Sequence, residues 1–347
     1  MTRIAFSWNG LPYYAACQIA RAIEVIGEPC AVIGSPPTVP VAGMEDVLGD
    51  AIHWIPNDQP TSWEQLGVAI PDLFFQSGWG YPAFNQLGKA VKNAGGTVVG
   101  MSDANWRGDF RQTVLGRLKF RMLMRRDFDA MIVPGKQGQR LMRAFGFRQD
   151  QIYSGMYGSD PDIFNGGKSL CDRPREFLFV GQFIDRKNVL MLAHAFLSFA
   201  ESHPDWTLRL CGSGALRDAI PKHPQIIVQD FLQAHALADL YRNARFFVLP
   251  SKVEAWGLVV HEAALSGCGL VLSDAIGSAN DLANGKNALR FSASSEAELS
   301  AALHKAAAMD QAAMCEAEAE SRALGGQFGP ARFAREIDDI KRRFLGS

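Results

Sequence analysis

Two glutamates, Glu254 and Glu262, are separated by seven residues in the stretch SKVEAWGLVVHEAALSG. One carboxylate stands just ahead of a glycine-led helix start, and the other stands further along the same segment. Because the start of a helix attracts anions, this placement makes chemical sense if a ligand lies between the two carboxylates. An apolar run at 246–249 precedes the stretch and predicts a buried strand. Ligands of α/β proteins bind at the carboxyl ends of such strands.

The segment between the two glutamates predicts a phosphate-binding turn. Gly257 would let a ligand approach the backbone closely, and the amides of Leu258 and Val259 would lie unpaired at the helix start. Glu262 would lie about 7.5 Å further along the helix axis, which is close to the reach from a diphosphate to a ribose. Glu254 would lie on the other side of the phosphates, where a sugar carried on the diphosphate would be bound. The spacing therefore suggests a nucleotide-sugar site, although surface glutamates also make this spacing by chance.

Short apolar runs alternate with longer amphipathic segments along the whole chain. This alternation predicts an α/β fold with parallel sheets covered by helices on both faces. Strands are predicted at 3–8, 30–33, 52–55, 73–76, 97–101 and 130–133, and again at 176–180, 207–211, 226–229, 246–249 and 270–273. Helices are predicted at 12–26, 82–94, 110–126 and 136–145, and again at 189–202, 213–220, 234–243, 258–266 and 296–308.

The alternation restarts after a stretch at 165–174 whose composition is typical of a linker. We therefore expect two doubly wound, Rossmann-like domains, an N-terminal one over 1–165 and a C-terminal one over 175–328. The last segment, 329–347, contains an amphipathic helix that could pack on either domain.

Composition and charge indicate a globular protein without a nucleic-acid surface. The 347 residues carry a formal net charge of −1, with 48% hydrophobic and 20% charged residues. The six cysteines show no C-x-x-C spacing, the stretch MTRIAFSWNG does not have the charged-then-apolar pattern of a leader, and no apolar run reaches the roughly 18 residues of a membrane span. We expect a reduced, cytoplasmic protein, with peripheral attachment to the inner face of a membrane as an alternative.

A basic segment at 107–126 departs from this balanced charge, with seven basic residues and a single acidic one, Asp109. On a helix, three arginines would share one face beside an apolar row. The arginines are Arg117, Arg121 and Arg125, and the row is Val114, Leu118 and Met122. Two interpretations are open. The segment is a surface helix with a solvated face, or it binds anionic lipid headgroups or an anionic acceptor.

Other motif matches have plainer structural explanations. Two D-x-D strings, Asp127 with Asp129 and Asp160 with Asp162, have the spacing that can hold a divalent metal with a diphosphate. Helix ends and turns use the same spacing, and the seven histidines show no ligand spacing, so we predict no metal site. A glycine pattern at 78–83 matches a dinucleotide fingerprint but contains a proline, which favours a strand-to-helix turn.

The C-terminal half resembles a known family. The stretch VLPSKVEAWGLVVHEAALSGCGLVLSD is similar to the signature of two glutamates found in the retaining glycosyltransferases of the GT-B fold, family 4, also called glycosyl transferases group 1. The stretches FLFVGQFIDRKNVLMLAHAF, LRLCGSGALRDAI and YGSDPDIF resemble the family in the same order and spacing. The resemblance covers 155–292 and implies two Rossmann-like domains facing across a cleft, with a C-terminal helix that crosses back to the N-terminal domain. The N-terminal half, which would bind the acceptor, matches mainly in architecture.

The resemblance implies roles for four residues of the C-terminal half. Glu254 would face the hydroxyls of the donor sugar, and Glu262 would bind the ribose. Lys187 would neutralise the donor diphosphate, and Arg186 beside it would assist or cap its turn. Gln182 stands where the family usually has an arginine, so one cation of the expected pair is absent.

The resemblance is weaker for the N-terminal half. Gly10 matches the first-turn glycine that approaches the diphosphate. Many members of the family have a histidine facing the donor sugar, and Asp103 or Asn105 stands in that region here. Arg107 is a candidate for the missing cation.

The resemblance implies a retaining glycosyl transfer from a nucleotide-diphosphate sugar to a saccharide or lipid-linked acceptor, as in polysaccharide or glycolipid synthesis. The reaction would need no metal and no cofactor besides this co-substrate. Two alternatives stay open. One is a GT-B epimerase or hydrolase of nucleotide sugars, although no histidine stands between 54 and 193 to serve it. The other is a catalytically silent protein that binds nucleotide sugars.

Overall fold

The computed structural model describes residues 3–37, 40–56, 58–106 and 108–346. It divides into two compact units, the first formed by Met1–Gly158 with Phe328–Ser347 and the second by Ser159–Gln327. Arg107, the candidate cation, lies outside the described residues.

The first unit contains a seven-stranded parallel sheet. Its strands are β1 (Ile4–Trp8), β2 (Cys30–Gly34), β3 (Ile52–Trp54), β4 (Leu73–Ser77), β5 (Thr97–Met101), β6 (Ala130–Val133) and β7 (Ile152–Ser154), in the order β3-β2-β1-β4-β5-β6-β7. The helices before the second unit are α1 (Tyr13–Ile26), α2 (Met44–Leu48), α3 (Pro82–Asn93), α4 (Arg117–Leu123) and α5 (Lys136–Ala144). Because most strands are buried along their whole length, they appear in the sequence as continuous apolar runs.

The second unit contains a six-stranded parallel sheet in the order β10-β9-β8-β11-β12-β13. Its strands are β8 (Glu176–Val180), β9 (Thr207–Cys211), β10 (Ile226–Gln229), β11 (Phe246–Leu249), β12 (Gly269–Ser273) and β13 (Ala288–Phe291). Its helices are α6 (Pro161–Phe164), α7 (Val189–Ala200), α8 (Ala234–Asn243), α9 (Leu258–Leu265), α10 (Ala279–Leu282), α11 (Glu296–Ala307) and α12 (Gln311–Gly325). The α/β prediction with two parallel sheets is therefore confirmed.

The last helix, α13 (Pro330–Leu345), belongs to the first unit. It packs beside α1, and its buried Phe333 and Ile337 join the apolar core of that unit with Phe6 and Ile19. The amphipathic pattern predicted the helix, and the structure shows which unit covers its apolar face.

The stretch predicted as a linker, 165–174, lies within the second unit. The guanidinium of Arg242 donates to the carbonyl of Asn165 at 3.0 Å. The carboxylate of Glu318 accepts a hydrogen bond from the amide of Leu170 at 2.8 Å. The boundary between the two units lies between Gly158 and Ser159, before the stretch.

The prediction of a helix at 213–220 was wrong, since the segment contains only a short 3-10 turn at Arg217–Ala219. Gly212 and Gly214 have φ angles of 151° and 152°. A Cβ at Gly214 would lie 2.5 Å from the carbonyl oxygen of Phe183, so the glycines let this loop pack closely on the loop after β8. The close approach holds the chain in a non-helical path.

Six elements were not predicted: the strands β7 and β13 and the helices α2, α6, α10 and α12. The two strands are short and partly exposed, so their sequences lack a continuous apolar run. The predicted helix at 110–126 is divided into a π-helical segment at Arg111–Gly116, then α4, then a 3-10 turn at Arg125–Asp127.

Candidate functional site

The strand order of the second sheet reverses between β8 and β11. From β8 the chain continues to β9 on one side, whereas β11 leads to β12 on the other. Loops diverge at such a point and leave a crevice at the carboxyl ends of the two strands, where ligands of open α/β sheets bind. Lys187 follows β8 and Glu254 follows β11, so the two residues flank this point.

Lys187, Arg186 and Glu254 form one charged cluster. The Lys187 ammonium forms an ion pair with Oε2 of Glu254, and these side chains are only 11% and 12% exposed. The Arg186 guanidinium lies 3.4 Å from the same carboxylate oxygen. The hydroxyl of Ser251 also donates to that oxygen, at 3.4 Å. The cluster carries one negative and two positive charges, so it has a net positive charge for an anionic ligand. The resemblance assigned Lys187 to the diphosphate of a donor and Glu254 to its sugar, and the structure brings these two side chains into contact.

Lys187 is positioned by a turn that closes on the loop after β11. Asn188 ends this turn with a φ of 58°, a left-handed conformation that asparagine tolerates better than most residues. Its side-chain amide donates to the carbonyl of Pro250 at 3.3 Å and to that of Ala293 at 3.1 Å. The amide of Lys252 donates to the carbonyl of Arg186 at 2.9 Å. The two loops are therefore fixed to each other near the cluster.

Glu254 is held from its other side by the loop after β12. Its amide donates to the carbonyl of Ala275 at 3.1 Å, and its carbonyl accepts from the amide of Gly277 at 3.0 Å. These bonds form an isolated parallel bridge between Glu254 and Ile276. The loop after β12 thus fixes both the amide and the carbonyl of the residue that carries the carboxylate.

Gly257 forms the predicted turn ahead of α9. Its φ of 86° is left-handed, and no side chain among the described residues caps this helix start. Leu258 and Val259 are the first two residues of α9, so their amides belong to the uncapped first turn. A Cβ at Gly257 would lie 3.0 Å from Cγ of Glu254. Glycine therefore allows both the turn and the close approach of the carboxylate side chain.

We expect the substitution Gly257→Ala to destabilise the second unit by about 1–2 kcal/mol, the cost of a left-handed L-residue, and to displace Glu254. Thermal unfolding measures the loss. Gly285→Ala is the matched control, because Gly285 lacks a left-handed φ and an added Cβ would have no neighbour within 4 Å. Equal thermal unfolding midpoints for Gly257→Ala and Gly285→Ala would contradict the backbone strain that we expect of an alanine at position 257.

Glu262 lies in the second turn of α9 and is only 8% exposed. Its Oε1 accepts a hydrogen bond from the Ser159 hydroxyl at 3.1 Å, and its Oε2 accepts one from the Tyr241 hydroxyl at 2.9 Å. Burial raises the pKa of Glu262 to about 7, although the two hydrogen bonds lower it. The carboxyl group therefore titrates near neutral pH, which the sequence did not predict.

Ser159 and Tyr241 are two site residues that sequence reasoning missed. His261 holds Ser159 in place, since its Nδ1 accepts from the amide of Ser159 at 2.9 Å and its Nε2 lies 2.9 Å from the carbonyl of Gly325. Burial lowers the pKa of His261 to about 4, so the ring is neutral at pH 7. The only signal for Ser159 was its place in the stretch YGSDPDIF, and no local pattern pointed to Tyr241.

Two candidate residues, Gly10 and Asp103, lie in the first unit. Gly10 follows β1, where the order of the first sheet reverses, and has a φ of 59°. Its amide donates to the hydroxyl of Ser35 at 2.6 Å. Asp103 follows β5, is exposed, and accepts a hydrogen bond from the Tyr157 hydroxyl. Burial is the main reason that the pKa of Tyr157 is well above its usual value, with the Asp103 charge adding to it.

The two D-x-D strings have structural roles. Asp129 forms an ion pair with Lys92 at 2.8 Å and accepts from the amide of Val98 at 2.9 Å. Asp160 caps α6 by accepting from the amide of Asp162 at 2.9 Å. Within the described residues, no group of three histidine, cysteine or carboxylate side chains is placed to hold a metal ion.

Comparison with known proteins identifies the segment that carries the cluster. Residues 174–308 match the family model described as "Glycosyl transferases group 1". A glycogen synthase of Mycobacterium tuberculosis (strain ATCC 25618 / H37Rv) is 32% identical over 162 residues, which are 45% of this chain and 39% of that protein. The uncharacterized glycosyltransferase MJ1607 of Methanocaldococcus jannaschii is 30% identical over 139 residues, 35% of each protein. The match spans less than half the length of these curated relatives.

Solved structures are similar along nearly the whole chain. A glycosyltransferase from Rickettsia africae ESF-5 superposes with a TM-score of 0.75 at 12% identity, over 99% of this chain and 98% of the Rickettsia chain. Anabaena Alr3699/HepE, solved in complex with UDP and glucose, superposes with a TM-score of 0.73 at 16% identity, over 98% of this chain and 99% of the Anabaena chain. At such identities the likeness concerns the fold, and the chain has the GT-B fold of these glycosyltransferases.

Proposed function

We propose that this chain transfers a sugar from a nucleoside-diphosphate donor to a saccharide or lipid-linked acceptor, with retention at the anomeric carbon. The observation that carries the proposal is the meeting of Lys187, Arg186 and Glu254 at the reversal of the second sheet. This cluster lies inside the segment that matches glycosyl transferases group 1. The Anabaena protein of the same fold binds UDP and glucose, which supports a nucleotide-sugar donor.

The donor would be held by α9 and its flanking carboxylates. The diphosphate would bind at the amides of Leu258 and Val259, where the helix start attracts negative charge. Glu262 would bind the ribose hydroxyls. Each of its oxygens accepts one hydrogen bond from the protein and has a second lone pair to offer, so its contacts with Ser159 and Tyr241 leave capacity for the ribose. Glu254 would bind the hydroxyls of the sugar.

Lys187 would serve the diphosphate without leaving Glu254. Its ammonium has three N–H donors, and one of them is directed at Glu254. The other two can reach an anion placed beside the carboxylate. Gln182, which stands where the family has an arginine, is exposed. In this proposal Lys187 and Arg186 are therefore the cations that neutralise the leaving group.

The transfer would occur on one face of the sugar. The bond between the anomeric carbon and the diphosphate oxygen breaks, and the oxygen of the acceptor hydroxyl forms the new bond on the same face. The hydroxyl proton passes to the departing phosphate. Lys187, Arg186 and the helix amides stabilise the charge that develops on the diphosphate, a form of electrostatic catalysis that needs no further cofactor or metal in this proposal.

All six cysteines of the chain lie within the described residues, and none of them forms a disulfide bond there. A reducing compartment suits free thiols, so we place the reaction in the cytoplasm.

A screen of nucleotide sugars tests the proposal. We expect one donor to be consumed only when a saccharide or lipid-linked acceptor is added, with the sugar appearing on the acceptor in its original anomeric configuration by NMR. Donor consumption without an acceptor would indicate an epimerase or hydrolase instead. Binding of donors without any turnover across the acceptor panel would indicate a silent binding protein.

A further inference from the structure

The helical segment from Phe110 to Leu123 presents an apolar surface to solvent. Six of the eleven large apolar side chains that are exposed in the described parts of the chain lie within it. We call them the apolar ridge. They are Phe110 (71% exposed), Val114 (46%), Leu115 (57%), Leu118 (58%), Met122 (70%) and Leu123 (66%). Contiguous exposed apolar surface of this kind marks an interaction site more often than a free surface.

The apolar ridge lies on the solvent side of a segment whose other side packs on the first unit through an aromatic side chain. Within the segment 110–123, all of which the structure describes, Phe120 is buried and the other residues are at least partly exposed. The Phe120 ring packs against the rings of Trp79 and Phe145, with centroid distances of 5.0 Å and 4.5 Å. Phe110, Val114, Leu118 and Met122 recur every four residues and therefore lie along one side of the helical segment. The fold thus anchors one aromatic side chain and leaves the apolar row outside.

Cations border the ridge. They are Arg111, Arg117, Lys119, Arg121 and Arg126, all exposed. None of these five cations forms an ion pair with a carboxylate of the residues that the structure describes. The sequence predicted Arg125 on the same exposed face as Arg117 and Arg121. In the structure its guanidinium instead donates to the carbonyl of Phe128 and to the side chain of Gln151, both at 3.0 Å. Arg125 fixes the end of the segment, and the five other cations are left for a partner.

We propose that the apolar ridge and its cations dock this protein on the surface of an anionic lipid bilayer. An apolar helix face bordered by cations lies in the plane of a membrane interface, with its side chains among the acyl chains and its cations at the lipid phosphates. A second copy of the chain is a poorer partner, because a symmetric contact would bring the five cations of each copy together. Among the described residues no helix is long and apolar enough to cross a membrane. The inference is independent of the proposed sugar transfer.

Vesicle flotation tests the apolar part of the proposal. The full chain should float with vesicles of phosphatidylcholine containing about one third phosphatidylglycerol, in about 0.1 M salt, and should stay behind with phosphatidylcholine alone. The double variant Leu118→Ser/Met122→Ser should reduce the partition coefficient at least about tenfold, because it removes two inserted side chains. Ile70→Ser is the matched control, since Ile70 is 48% exposed in the same unit and lies outside the ridge.

Charge reversal tests the cationic part. Arg117→Glu/Lys119→Glu should also weaken partitioning by about tenfold or more, because each cation at an anionic surface contributes about fivefold. Raising the salt to about 0.5 M should weaken binding of the unchanged protein, because salt screens exposed charges. Lys222→Glu, an exposed charge reversal in the second unit, should leave flotation unchanged.

Three results would overturn the proposal. One is no flotation of the unchanged chain with anionic vesicles at low salt. Another is flotation that both double variants retain. The third is a dimer of the free protein in sedimentation velocity that Leu118→Ser/Met122→Ser dissociates, which would assign the ridge to self-association. Near-ultraviolet circular dichroism should be unchanged in every variant, because the substituted side chains are exposed, and donor binding is not needed for any readout.

Discussion

Replacement of Lys187 by methionine is expected to weaken the binding of a nucleoside diphosphate by about 10- to 100-fold, the value of hydrogen bonds to a charged group. Sugar transfer should fall by about 100- to 1000-fold, as when one donor to a developing negative charge is removed. Methionine keeps most of the apolar stem of the side chain and removes only the ammonium. Calorimetry with UDP, GDP and ADP measures the affinity, and the donor identified by screening measures turnover.

The same substitution also has a structural consequence. Lys187 is the ion-pair partner of a carboxylate that is only 12% exposed. Loss of one partner of a buried pair typically costs about 3–5 kcal/mol, because the remaining charge is left without compensation. The double variant Lys187→Met/Glu254→Gln should recover part of this stability without recovering nucleotide affinity. This pair of measurements separates the ligand role from the folding role.

Lys252→Met is the control for the Lys187 variants. Lys252 lies in the same loop as Glu254 but is 45% exposed and pairs with Asp185 at 2.6 Å. Exposed pairs contribute about 0–1 kcal/mol, so this variant should keep both stability and affinity. If Lys187→Met loses stability while its affinity for every nucleotide is unchanged, Lys187 serves the fold alone.

Replacement of Glu262 by glutamine is expected to change how stability depends on pH. Burial raises the pKa of Glu262 to about 7 in the folded protein, whereas its ordinary value is 4.5. Between these two values the unfolded chain has released the proton and the folded chain still holds it. The stability of the unchanged protein relative to Glu262→Gln should therefore fall as the pH rises from 4.5 to 7, by about 3 kcal/mol in total, and should level off above 7.

Thermal unfolding of both proteins across this pH window measures the difference. His261 and the other titrating groups are common to both proteins and cancel in the comparison. Tyr241→Phe should move the midpoint of the Glu262 titration upward, because the Tyr241 hydrogen bond lowers the pKa of this carboxyl. Parallel stability curves for the unchanged protein and Glu262→Gln would show that Glu262 titrates at an ordinary pH.

Glu262→Gln should also weaken nucleotide binding above pH 7. Ribose hydroxyls would donate to the ionised carboxylate, and hydrogen bonds to a charged acceptor are stronger than those to an amide oxygen. A deoxyribose diphosphate is the matched ligand control, because it lacks one of the two hydroxyls and should lose less affinity through the substitution. Equal losses for both ligands would place Glu262 away from the ribose.

Local sequence patterns determined the sheets and most of the helices. The predicted strand at 97–101 and the predicted helix at 234–243 have the same bounds in the structure. Buried parallel strands are apolar along their length, and helices that cover them have one apolar side, so both patterns are local. The loop at 213–220 was mispredicted because its path depends on a close approach to Phe183, a contact with another part of the chain.

The spacing of Glu254 and Glu262 around Gly257 likewise predicted a turn, a helix start and two carboxylates from the sequence alone. Only the tertiary structure decided which side chains meet them. Lys187 contacts Glu254 across 67 positions of the chain, and Ser159 contacts Glu262 across 103. These contacts depend on how strands and loops pack, which no local pattern records, and burial by that packing raises the pKa of Glu262. The apolar row at 114–122 was visible in the sequence, but its exposure is set by what the rest of the unit leaves uncovered.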